Sequence, residues 1–407
     1  MARLKAYLGM SRVPSAIAEL DGLRGIAILL VLGRHGTRVF RGSNEPIYPL
    51  GSWDGITPFI NGWVGVDLFF VLSGFLITHH ILRRWTLAVS WSEIRMYLGK
   101  RLLRIVPAYY ATLLLAASGW LAFYQLPREG LGRQVVYHLL FLQDYLPASI
   151  IVAFWSLGVE EKFYLTIPFV VLLLWRLPSV RERVAVLAGL MSLPLLFRYL
   201  TYTSHPELDT YYEYFRMLRS PFHVSLDGLL VGCICAFLHH HRDHFPWLER
   251  TEVIRALFWG GLLLSGYLVC AQPLLDPIRW FNVTLLYTCL ALGFGAVLLS
   301  LISGRSPCAA FFRTRWLFFF SKISYSLYLV HMMFMGCVYV LLRDTISIER
   351  FSIGVQFALY FPLFCVFSIA GALVLHYAVE KPFLILKDRL GQPRPGLVQT
   401  TPQSVTA

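Results

Sequence analysis

Apolar runs of about 20 residues recur from one end of the chain to the other, the length that carries a helix across roughly 30 Å of hydrocarbon. They predict about ten spanning helices, at about 22–40, 63–82, 105–124, 155–175, 184–203, 223–241, 254–271, 282–303, 323–342 and 352–378. The expected fold is therefore an all-α polytopic transmembrane helix bundle, with residues 1–382 as its transmembrane domain. Short polar gaps separate the runs and hold no large folded domain. Residues 135–141 (VVYHLLF) are apolar but too short to span, so they either lie at the outer interface or re-enter. Residues 383–407 turn polar and Pro-rich, a composition expected to form a disordered cytoplasmic tail.

Composition agrees with this pattern: 57% of the 407 residues are hydrophobic and 14% charged. The net charge of +13 comes from Lys and Arg scattered in the gaps, not gathered in one stripe, so it reads as topological charge and no nucleic-acid partner is expected. With the N-terminus inside, roughly two thirds of the 36 Lys and Arg fall in inner segments, including Arg83, Arg84, Arg95, Lys100, Arg101 and Arg104 in one gap. The outer segments take Glu45, Asp54, Glu129, Glu207, Asp209 and Glu213. Both termini are thus expected in the cytoplasm, with membrane lipid as the surrounding partner. Arg3, Lys5 and Arg12 are not followed by the apolar core of a cleaved leader, so the first helix is expected to stay. The seven cysteines lie in or beside apolar segments without a CxxC pair, and neither disulfides nor a metal site is expected.

An ionisable side chain at membrane depth costs a few kcal/mol or more unless paired or hydrated, so those that remain inside the runs carry the functional signal. In the first run, LDGLRGIAILLVLGRH, Arg24 and His35 are eleven residues apart, about 16 Å of helical rise and about 20° of rotation. They share one face at two depths, which suits a long, thin substrate. On residue chemistry alone Arg24 also reads as a helix-end arginine snorkelling to headgroups. For His35, the neighbouring Arg34 and Arg38 point to a polar cavity. Asp67 in GVDLFFVLSGFLITHH is expected at the depth of His35, either fixing the imidazole tautomer for base catalysis or forming a structural ion pair with Arg34 or Arg38. Glu160 and Glu161 open the fourth run at the same level; adjacent helical residues diverge by about 100°, so one is expected to face the cavity and Lys162 to neutralise the other.

At the cytoplasmic mouth, Arg101 and Arg104 stand at i and i+3 in RLLR, two guanidinium forks suited to phosphate groups of a ligand or of lipid headgroups. In SKISYSLYLVH, Ser324, Tyr328 and His331 lie along one helical stretch, where they serve substrate contact or helix packing. The cluster His239, His240, His241 and His244 trails out of a span into Arg242 and Asp243 and reads as a solvated interfacial collar.

Together these segments resemble the acyltransferase 3 family of integral membrane acyltransferases. The resemblance covers nearly the whole chain and rests on LDGLRGIAILLVLGRH, GVDLFFVLSGFLI, RLLR, FWSLGVEEKFYL and ISYSLYLVH in order, with Glu380 and Pro382 in VEKPF resembling the family's ending. It implies transfer of an acyl group, most often acetyl, from cytoplasmic acyl-CoA to a hydroxyl of a cell-surface carbohydrate, glycolipid or exported metabolite, without a metal. On that resemblance His35 is the expected base, acting directly or as an acyl carrier. Asp67 or Glu160 would orient it, Arg34 would stabilise the oxyanion, and Arg24, Arg101 and Arg104 would clamp the nucleotide phosphates. The chain resembles the stand-alone form, which either acts on the acceptor itself or passes the acyl group to a separate extracytoplasmic partner. The expected location is a bacterial inner or plasma membrane. The competing reading is a transporter or flippase of a glycolipid or anionic solute, against which stand the lack of an internal repeat and of broken helix pairs.

Overall fold

The computed structural model describes residues 7, 9, 17–40, 46–51, 53–121, 124, 126, 129–206, 208, 210–271 and 280–390. The expectations for the basic N-terminal segment, for Glu45, Glu207 and Asp209, and for residues 391–407 lie outside the described residues.

Helices form over all the expected runs: α1 Ala18–Arg38, α2 Val64–Arg84, α3 Trp91–Ala117, the short α4 Leu131–Leu139, α5 Trp155–Leu174, α6 Val180–Leu190, α7 Ser192–Ser204, α8 Asp227–His240, α9 Thr251–Cys270, α10 Leu285–Ile302, α11 Arg315–Ile346, α12 Ile353–Leu375 and α13 Lys381–Arg389. Among the described residues six helical stretches are long and apolar enough to cross a membrane: α2, α6 with α7, α9, α10, α11, and α12 continued into α13. The others fall short for physical reasons. Charges interrupt α1 (Glu19, Asp21, Arg24, Arg34), α3 (Lys100, Arg101, Arg104) and α5 (Glu160, Glu161, Lys162), and α8 has only 14 residues.

Two expectations need correction. Arg95, Lys100, Arg101 and Arg104 do not lie in a loop, because α3 begins at Trp91 with a capping box: the Ser90 side chain accepts from the Glu93 N–H and the Glu93 carboxylate accepts from the Ser90 N–H. The polar tail expected from residue 383 is helical as far as Arg389, since α13 follows a π-turn at His376–Glu380 and packs against α3. Glu380 anchors that turn, accepting from Ser326 Oγ at 2.6 Å on α11 and lying 2.8 Å from His376 Nδ1.

Helix α1 sits between α2 and α11, and α2 crosses α8 most intimately. That crossing depends on glycine: a Cβ at Gly74 would come within 2.1 Å of the Leu229 carbonyl oxygen, and one at Gly232 within 2.2 Å of that of Val71. Small residues let transmembrane backbones approach so closely. Residues 135–141 fall mainly on α4, whose nine residues pack on α3 through the buried His138; Tyr109 Oη donates to the His138 carbonyl at 2.9 Å. Between α1 and α2 a small antiparallel hairpin pairs Pro49 with Asp54 and Leu50 with Trp53.

Candidate active site

The contact between α1 and α11 brings together two histidines 296 positions apart. His35 Nδ1 lies 3.0 Å from His331 Nε2, with ring centroids 4.7 Å apart. Carbonyl oxygens fix the proton positions. His331 Nδ1 is 3.0 Å from the Leu327 carbonyl, which only accepts, so Nδ1 carries the proton and the neutral ring offers Nε2 as an acceptor. His35 Nδ1–H therefore donates to His331 Nε2, sharing its proton with the Val31 carbonyl at 3.0 Å. The remaining ring nitrogen of His35, Nε2, then carries the lone pair. His331 is fully buried, while His35 lines a cavity of about 1140 Å³.

Arg34 lines the same cavity and donates from Nη1 to the Ile60 carbonyl at 2.9 Å. Tyr328 contributes to the wall as well; its hydroxyl donates to the Ala153 carbonyl and accepts from Ser156 Oγ, both at 2.6 Å. Ser324 is turned into helix packing, donating to the Ser321 carbonyl at 2.8 Å.

Neither expected carboxylate meets His35. Both oxygens of Asp67 accept from Arg219, each at 2.8 Å, instead of pairing with His35, Arg34 or Arg38. Nothing around Arg219 in the sequence singles it out. It ends a π-turn at Phe215–Arg219, and its guanidinium lies 4.5 Å from the Tyr287 ring centroid, 4.9 Å from that of Trp155 and 5.5 Å from that of Trp63. Pair and rings form one buried unit, and removing one partner of such a pair costs about 3–5 kcal/mol because the other charge stays buried.

Glu160 lies deeper than expected. The segment before α5 is itself buried, with Ile150, Ile151 and Phe154 at 1% exposure or less, so the helix starts inside the bundle and not at the interface. Glu160 accepts from Ser73 Oγ at 2.7 Å and Tyr164 Oη at 3.0 Å. Ser73 follows Asp67 by six residues on α2, about 9 Å further toward the end that carries Arg83 and Arg84. There Glu160 is within electrostatic range of Arg24 and Arg104. Glu161 turns the other way, buried near Arg101, and its Oε1 has no hydrogen-bond partner among the described residues. Lys162 neutralises neither glutamate by contact; it pairs with the buried Asp144 at 2.6 Å.

Arg24, 3.7 Å from Asp21, lies within electrostatic range of Arg104, which in turn faces Arg101. The buried Nε of Arg101 has no hydrogen-bond partner among the described residues. Arg104 is thus within electrostatic range of both Arg24 and Arg101, a run of positive charge that fits a polyphosphate. Among the described residues no three His, Cys, Asp or Glu gather as metal ligands.

The family model described as "Acyltransferase domain", that of acyltransferase 3, matches residues 17–377. The chain is 25% identical to the peptidoglycan O-acetyltransferase OatA of Listeria monocytogenes over 58% of its own length and 36% of the relative's. It is 27% identical to a candidate peptidoglycan O-acetyltransferase of Bacillus subtilis over 44% of this chain and 27% of that one. With a candidate O-acetyltransferase of Staphylococcus aureus the identity is 26% over 77% of this chain and 50% of the other. The chain thus spans half or less of the length of these relatives, and no solved structure matches it. A match over nearly all of the described bundle places the chain in the acyltransferase 3 family.

Proposed function

We propose that this protein is a membrane O-acyltransferase that moves an acyl group, most often acetyl, from cytoplasmic acyl-CoA to a hydroxyl of a carbohydrate acceptor at the outer face of a bacterial cell membrane. The observation that carries the reading is the His35–His331 pair at the wall of the large cavity, with Arg24 eleven residues away on the same helix. The proposed topology has ten spans with both termini inside, so Arg24 sits at the cytoplasmic mouth and the cavity opens outward.

His35 Nε2 takes the proton of the acceptor hydroxyl as its oxygen bonds to the acyl carbon; the carbon–sulfur bond breaks and the thiolate leaves with that proton. His331 Nε2 accepts the Nδ1–H bond throughout and steadies the imidazolium. The same geometry serves a two-step transfer with His35 as acyl carrier. Arg34 supplies positive charge for the developing oxyanion. Arg24, Arg101 and Arg104 hold the donor phosphates, an assignment supported by the electrostatic proximity of Arg104 to each of the other two and by Arg101 Nε, which has no hydrogen-bond partner among the described residues. Relatives named for peptidoglycan O-acetylation support a glycan acceptor.

The test is acyl transfer by the purified protein in nanodiscs, with labelled acetyl-CoA and a glycan acceptor. His35→Ala is expected to lower transfer by at least about 100-fold. Transfer by His35→Ala at the wild-type rate would overturn the role of His35, and absence of any transfer by the wild type would favour a transporter.

A further inference from the structure

Two deep cations around the cavity are neutralised by acids, Arg219 by Asp67 at 2.8 Å and Lys162 by the cavity residue Asp144 at 2.6 Å, while Arg34 donates to the Ile60 carbonyl. The outer ones are not. Arg38 lies three residues beyond His35 on α1, about one turn outward, and Arg216 lies one turn before Arg219 in the π-turn. Both are exposed and line the same cavity, and among the described residues no carboxylate stands within ion-pair distance of either. Arg216 leans over the Tyr212 ring, 5.6 Å from its centroid, so its position is set by an aromatic face and not by an acid. Two guanidinium groups without an acidic partner in the lining of one cavity make its outer part positive, which favours an anionic ligand there.

The space they guard is large. At about 1140 Å³ it exceeds the roughly 300–1,000 Å³ of a usual small-ligand pocket, and Trp155, Tyr145 and Tyr211 are among its lining residues. Such a chamber suits several linked sugar rings.

We infer that the acceptor is an acidic glycan, whose carboxylate or phosphate is held by Arg38 and Arg216 while a nearby hydroxyl reaches His35. The inference rests on the proposed acyl transfer and specifies its substrate class. Guanidinium forks match both anions in geometry, so the shared chemistry is a planar or tetrahedral oxyanion within a sugar residue or so of the acylated hydroxyl.

Three acceptors separate the possibilities: methyl N-acetylglucosaminide, the same sugar carrying a lactyl ether carboxylate, and N-acetylglucosamine phosphate. With wild-type protein in phosphatidylcholine nanodiscs and labelled acetyl-CoA, kcat/KM for at least one acidic sugar is expected to exceed that for the neutral one by about tenfold. That preference should shrink as salt is raised. Whichever acidic sugar leads identifies the anion. In Arg38→Gln/Arg216→Gln the ratio should fall to near one, and in Arg38→Lys/Arg216→Lys part of it should return. Wild-type ratios within twofold for all three sugars overturn the inference and leave acyl transfer standing. A preference abolished by adding phosphatidylglycerol assigns the two arginines to lipid headgroups and also overturns it. No transfer to any of the sugars, with or without lipid changes, removes the underlying reading and the inference with it.

Discussion

His331 touches His35 through one 3.0 Å hydrogen bond, and its own proton is fixed by the Leu327 carbonyl. In the proposed mechanism a neutral imidazole performs the orienting task that a carboxylate performs in many hydrolytic sites. Replacing it separates positioning from packing. His331→Leu is expected to lower kcat roughly 100-fold with little change in KM and to alter the pH–rate profile. His331→Gln, whose amide oxygen accepts the same bond, should restore much of the rate and the profile; equal loss in both variants would reduce His331 to a packing role. A second buried histidine acts on stability instead. His138, on the short α4 outside the spanning segments, is pushed by burial from the ordinary 6.5 down to about 4. The unfolded chain therefore binds this proton more readily, so the contribution is present above about pH 6.5 and is lost as pH falls toward 4. Between pH 7 and pH 5 the folded protein should lose about 2 kcal/mol through this residue. Thermal unfolding in detergent checks this: the His138→Gln variant should show a flatter dependence of Tm on pH across that interval.

At the scale of helices, close approach is the main cohesive device. Gly232 meets the Val71 carbonyl where α8 crosses α2, so Gly232→Ala forces the two apart and is expected to cost about 1–3 kcal/mol, read as a lower Tm and lower yield of folded protein. Gly189, with open space around its Cβ position, is the control, and Gly189→Ala should leave Tm nearly unchanged. The helices were legible because an apolar run of given length needs no partner to be recognised, and the spacing of Arg24 and His35 survives as helical geometry. What was not legible depends on where a helix begins in depth. Counting from the start of the fourth run puts Glu160 near His35, yet the buried turn at 150–154 lowers α5 into the bundle and leaves Glu160 with Ser73 and Tyr164. Arg219 was invisible for a related reason. A π-turn adds a residue to a local pattern, and no periodicity in the sequence marks which arginine will fold inward onto Asp67. His331 stands out in the sequence only as one polar residue of a helical stretch with Ser324 and Tyr328, because its pairing with His35 is a long-range contact that one sequence does not encode locally.

Across the whole molecule, the proposed orientation places the end of α9 outside and the turn before α11 inside. Cys270 and Cys308, both exposed, mark these two places. In single-cysteine variants on intact cells, a membrane-impermeant maleimide is expected to label Cys270, and to label Cys308 only after the membrane is opened. The reverse pattern would invert the topology and with it the side from which each substrate arrives.

The pairing of α1 with α11 also sets the moment at which the protein becomes competent. A chain inserted from its N-terminus delivers His35 early and His331 only after some 296 further residues have been made. Until then the polar face of α1 waits in the bilayer without its principal neighbour, held chiefly by α2 and the short helical turn at Thr57–Ile60. Partly synthesised or misinserted chains therefore lack the assembled dyad. If the dyad carries the proposed transfer, activity measured on this protein also reports that its first and ninth expected spans have assembled.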